Sequence, residues 1–106
     1  MDYKVVATET YQKEIENWSK IDKEAAEKIP SKLKLNPLIG KPLGYKFLRE
    51  KKIKEKRLYY LVYEDLKLVL LVATSGKKDQ QATIEHIKEY LDEFKEVANE
   101  ISKQLS

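Results

Sequence analysis

The sequence predicts an α+β fold: an N-terminal strand and a helical hairpin packed on a mainly antiparallel sheet of three to four strands, then a long C-terminal helix. Three patterns carry that prediction. Leu66 to Ala73 (LKLVLLVA) is almost continuously apolar, as a central strand covered on both faces must be. Arg57 to Tyr63 (RLYYLVY) concentrates the aromatic and β-branched residues that suit a pleated surface. Ile84, Ile87, Leu91, Phe94, Ala98, Ile101 and Leu105 recur at alternating spacings of three and four, the signature of one helix face.

The elements follow in order. Tyr3 to Thr8 is a short β-prone run and the first strand. Thr8 or Thr10 caps a helix with Tyr11, Ile15 and Trp18 on one face, Trp18 being core. Asp22 caps a second helix carrying Ala26, Ile29 and Leu33, which Pro30 kinks or splits. Asn36-Pro37 and Gly40-Lys41-Pro42 mark a loop. Tyr45 to Arg49 is the next strand candidate, and Lys51 to Lys56 is too charged for a core element, reading as a connection or exposed hairpin arm. Glu64-Asp65 supplies the turn into the apolar strand. A single helix over residues 80–104 would run about 37 Å, whereas an eight-residue strand spans about 27 Å. Unless it turns, its far end overhangs, which assigns Ala98, Ile101 and Leu105 to a partner chain and suggests a homodimer.

Residues 1–106 make one domain. With no cysteine, disulfides and thiolate metal sites are excluded, and a single histidine, His86, excludes a histidine-rich metal site; no cofactor is expected. No run approaches the roughly 18 apolar residues of a membrane span, and Met1-Asp2-Tyr3-Lys4 shows no basic-then-apolar leader. A soluble cytoplasmic protein is the expectation. The net charge of +3 is unevenly placed: residues 41–57 (KPLGYKFLREKKIKEKR) hold eight basic and two acidic residues, and residues 79–106 hold three basic and seven acidic. A basic centre of this kind suits a polyanion, or else a solvated Lys-rich hairpin.

Local sequence is similar to a known superfamily. Asn36-Pro37 with Gly40-Lys41-Pro42-Leu43 resembles the NP…GKPL passage that ends the helical hairpin of RelE/ParE toxins. Tyr45-Lys46-Phe47-Leu48-Arg49 resembles their Y-x-L-R strand, and Arg57-Leu58-Tyr59-Tyr60 their arginine-led strand. Gly76-Lys77-Lys78-Asp79-Gln80 is similar to the KKTQ passage of HigB-type members. The resemblance implies a RelE-like fold and the toxin of a type II toxin–antitoxin pair. Its partners would be a cognate antitoxin, the ribosome and mRNA. RelE and HigB relatives cut mRNA in the ribosomal A site; ParE relatives inhibit gyrase by protein contact.

Metal-independent RNA cleavage needs a base for the 2′-hydroxyl, a cation for the phosphorane and an acid for the leaving oxygen. By resemblance, Arg57 is the arginine that stabilises the transition-state phosphate, Lys46 the proton acceptor, and Lys78 the phosphate contact or acid. Arg49, Lys51, Lys52, Lys54, Lys56 and Lys77 would contact RNA, and Tyr59, on Arg57's face of an alternating strand, would stack on a base. Two departures favour a ParE-like binding module or an inactive, dimeric relative. The second lysine of RelE's K-I-K run is absent, and its late tyrosine falls at Ile84. The structural alternatives are plain: Arg57 pairs with Glu64 or Asp79, the lysines protect a sheet edge, and Tyr59, Tyr60 and Tyr63 pack in the core.

Overall fold

The computed structural model describes residues 2–106, with the element order β1 Lys4–Ala7, α1 Glu9–Glu16, α2 Lys20–Glu27, α3 Ile29–Leu35, β2 Lys41–Pro42, β3 Leu48–Ile53, β4 Lys56–Tyr63, β5 Leu68–Ser75, α4 Gln80–Glu89 and α5 Leu91–Leu105. The Thr8 hydroxyl caps α1 by accepting from the Tyr11 amide at 3.2 Å. Ser19, and not Asp22, caps α2: its hydroxyl accepts from the Asp22 amide, and Asp22 sits in the first turn, where its charge opposes the helix dipole. Pro30 splits the second predicted helix in two, standing in the first turn of α3 where a missing amide costs nothing. Trp18 lies beyond the end of α1 and is only partly buried.

Five strands form one sheet in the order β1-β5-β4-β3-β2, one more than expected because Lys41–Pro42 adds a two-residue edge. β1 pairs parallel with β5, and every other pairing is antiparallel. The Lys51–Lys52 segment belongs to β3, and a two-residue turn at Lys54-Glu55 joins it to β4, with Lys54 at φ 55°. β5 lies inside the sheet and both its faces are covered. Leu58, Tyr60, Val62, Val69 and Leu71 pack beneath α1–α3; Leu48, Tyr59, Leu61, Leu70 and Val72 pack beneath α4 and α5. Between Tyr59 and Tyr60 the register slips, since Tyr59 faces Ala73 while Tyr60 faces Leu71. Val72 is the extra residue, and Val72 and Ala73 both turn toward α4 and α5.

The C-terminal segment is two helices, not one. At Tyr90 (φ −112°, ψ 22°) the Tyr90 amide bonds back to Ile87 and the chain starts again, the Phe94 amide bonding to Tyr90. The bend keeps the apolar face on the sheet. Ala98 is fully buried and Ile101 packs beside it in the chain's own core; only Leu105 stays largely exposed. The assignment of Ala98 and Ile101 to a partner chain is therefore corrected. No helix among the described residues is long and apolar enough to cross a membrane.

Candidate functional site

Residues opposite one another in the ladders share a face, so the register lays two polar rows across the face carrying α4 and α5. Lys41, Glu50, Tyr59 and Ala73 form one; Lys52, Arg57 and Ser75 form the next, at the end of the sheet. α4 begins over these rows, where Gln80 Nε2 donates to Glu50 Oε1 at 3.3 Å. Beyond its N-terminus the rows are uncovered and border a groove of about 470 Å³ lined by Lys41, Glu50, Lys51, Lys52, Arg57 and Gln80. Lys41, Lys52 and Arg57 thus share this face with one carboxylate.

Gly40 makes this edge possible. A Cβ there would stand 2.5 Å from the Glu50 carbonyl oxygen and 2.7 Å from the Tyr60 hydroxyl. The Gly40 amide donates to that hydroxyl at 2.9 Å, and the hydroxyl donates to the Pro37 carbonyl at 2.8 Å. Tyr60 therefore fastens the loop before β2 to the sheet.

Arg57 forms the groove's floor. The residue is 7% exposed and its side chain makes one bond, from a terminal nitrogen to the Lys56 carbonyl at 3.2 Å. Among the described residues no carboxylate pairs with it: Glu64 is at the other end of β4, and Asp79 is exposed. No buried guanidinium nitrogen is left without a partner, so the nitrogens that lack one reach solvent. That is the state of an arginine ready for an external anion. Lys77 and Lys78 lie exposed in the loop just after Ser75, Arg57's ladder partner, and so at the same end of the sheet.

The remaining predicted residues divide. Lys52 is exposed on the groove face, and Lys54 is exposed at the hairpin tip. Lys51 and Lys56 alternate onto the opposite face, where Lys56 Nζ stands 5.8 Å from the Trp18 ring centroid. Arg49 also faces the other way and its fork is spent on the backbone. It donates to the carbonyls of Gly40 at 3.0 Å, Lys46 at 2.9 Å and Leu38 at 3.0 Å. In this structure it fastens the 38–46 loop.

Tyr59 shares Arg57's face as expected, but its ring is wholly buried and its hydroxyl is 2.8 Å from Ser75 Oγ. A base cannot stack on it. Burial pushes its phenol up, opposed by the Ser75 bond and reinforced by the nearby Glu50 charge. Lys46 does not join the groove. It sits before β3 beside Tyr63, six residues along β4 from Arg57 or about 20 Å at strand rise. There it borders a different, mainly apolar depression of about 550 Å³ that also touches Leu38, Phe47, Tyr63 and Leu91. Tyr90 lies ten residues beyond Gln80, against His86.

Glu50, Lys41 and Gln80 were not legible as site residues. Glu50 shares Arg57's alternation once β3 is extended to Ile53, but nothing local announces that Lys41 or Gln80 meets it.

No family model and no curated protein sequence matches the chain. Solved structures do. A double mutant of the Escherichia coli toxin RelE in its free state superposes with a TM-score of 0.71 at 20% identity, covering 84% of this chain and 98% of that one. The toxin–antitoxin complex RelBE2 of Mycobacterium tuberculosis gives 0.64 at 20% identity, over 72% and 99%. The archaeal RelE–RelB complex of Pyrococcus horikoshii OT3 gives 0.64 at 16% identity, over 73% and 97%.

Proposed function

We propose that this chain, which has the RelE toxin fold over most of its length and a cationic groove at one end of its sheet, is the toxin of a type II toxin–antitoxin pair and a metal-independent mRNA endonuclease acting on the translating ribosome. The observation that carries this reading is Arg57. A buried arginine with no carboxylate partner, at the floor of an open cationic groove, is costly unless an anion completes it. A phosphodiester does so, and the planar fork gains most when charge grows on the non-bridging oxygens. Lys77 and Lys78 hold the flanking phosphates. The chain's partner on this reading is a cognate antitoxin, since solved structures with this fold include RelBE toxin–antitoxin complexes.

Cell-free translation with primer extension tests the reading. The expected result is new mRNA 5′ ends at ribosome-occupied codons, lost about a hundredfold or more on Arg57→Ala, as for other deleted transition-state contacts. Uncut mRNA with toxin in excess over ribosomes would overturn it. The buried Tyr59 and remote Tyr90, which leave no phenol in the groove, favour a second reading: a non-catalytic binder of gyrase. Inhibited supercoiling with intact mRNA would support that one.

A further inference from the structure

A groove that cleaves RNA must also accept the 2′ proton. Lysine and arginine are protonated at neutral pH, and Lys46, the expected acceptor, lies about 20 Å away. The Glu50 carboxylate is the one acidic group lining this groove. We propose that Glu50 accepts the 2′-hydroxyl proton, an inference that rests on the RNA-cleaving reading and names the base of that same site.

The placement supports the role. Glu50 and Arg57 stand in adjacent rows on one face, about 7 Å apart along the strands. A carboxylate and a guanidinium so spaced can reach the 2′-oxygen and the non-bridging oxygens of one phosphodiester. Gln80 Nε2 donates to Oε1 at 3.3 Å and so orients the group, with the Tyr59 phenol beside it. Among the described residues no cation comes within ion-pair distance of Glu50, so no salt bridge occupies it. The charged and titratable groups around it are Lys41 from β2, Lys52 from β3, Arg57 and Tyr59 from β4, and the loop carrying Lys77, Lys78 and Asp79.

In the step, the O2′–H proton passes to the Glu50 carboxylate and the freed electron pair forms the O2′–P bond. The P–O5′ bond breaks, and its oxygen takes a proton from the Lys52 ammonium. The products are a 2′,3′-cyclic phosphate and a 5′-hydroxyl end, with no change of oxidation state. Glu50 then returns its proton to water, and Lys52 regains one.

The test is Glu50→Gln beside Glu50→Asp and the wild type, in the translation assay from acid to neutral pH, with affinity for a short single-stranded RNA measured in parallel. Glu50→Gln is expected to slow cutting about a hundredfold or more, to lose the wild type's acid limb, and to bind RNA at least as tightly, since a negative charge has left a cationic groove. Glu50→Asp keeps the acid limb at reduced rate. Glu50→Gln cutting within threefold of wild type overturns the inference. So does a slowed Glu50→Gln that keeps the acid limb, or, where that variant fails to fold, a Glu50→Asp without one. A wild type that leaves RNA uncut overturns the reading beneath it instead.

Discussion

Replacing Arg49 separates an arginine that holds the fold from one that waits for a ligand. Its guanidinium donates to three carbonyls, those of Leu38, Gly40 and Lys46, and is almost wholly buried. A hydrogen bond from a charged donor contributes about 1.5–3 kcal/mol. The three belong to one side chain and are not independent, so Arg49→Ala is expected to cost about 3–5 kcal/mol. A domain of this size is stable by about 5–15 kcal/mol in total, so the loss is a large share. With a urea slope of about 2 kcal/mol/M, the midpoint falls by about 2 M. Arg49→Lys recovers only about a third, because one ammonium cannot span carbonyls that a planar fork bridges. Urea unfolding followed by circular dichroism reads both. A loss below about 1 kcal/mol for Arg49→Ala, with RNA binding abolished, would refute the structural assignment and restore Arg49 to the RNA face.

Three further outcomes follow from the packing. Tyr59→Phe leaves the Ser75 hydroxyl without its partner and costs about 1–2 kcal/mol, yet keeps RNA cutting within a few-fold; a hundredfold loss would make the phenol part of the chemistry. Ala98→Leu overfills the space between α5 and the sheet and costs about 1–3 kcal/mol. That cost is the same at every protein concentration, and a concentration-dependent melting temperature would return Ala98 to an interface between chains. Tyr11, Tyr59, Tyr60 and Tyr63 have phenols pushed up by burial. Their folded-state pKa values exceed the unfolded value of about 10, so the stability they contribute is complete below that pH and is lost as pH rises through the folded values. In an alkaline titration four of the seven tyrosines should ionise together with the loss of helical circular dichroism, and their ionisation in a still-folded chain would contradict the packing.

The strands were readable because burial on two faces leaves no position for a polar residue, as Leu68 to Val72 illustrates. Pro30 announced the split between α2 and α3 through the one residue that cannot continue a helix. Tyr90 gave no such notice: neither glycine nor proline stands there, and the seam of threes and fours runs unbroken through it. The break is imposed by the sheet, which offers Phe94 and Ala98 a surface only if α5 changes direction. The placement of Arg57 followed from its strand, and that of Lys77 and Lys78 from the loop after β5. The placements of Arg49 and Lys46 did not follow, for one reason. Sequence identifies a cation but not its face or the end of the sheet it reaches, and both depend on where β3 begins, two residues after Lys46.

The irregularity at Val72 has a consequence for how this strand can change. Along β5 the side chains keep step as far as Val72, and the extra residue then resets the count. Deleting Val72 would restore strict alternation, and Thr74 and Ser75 would keep the faces and ladder partners they have now. The Ser75 hydroxyl would stay beside Tyr59, and the Thr74 amide would keep the Glu14 carboxylate that accepts from it at 2.9 Å. The strand thus reads in two frames, an apolar one that builds the core and a polar one that sets the rim. Their junction is a place where the strand can change length by one residue and spare both.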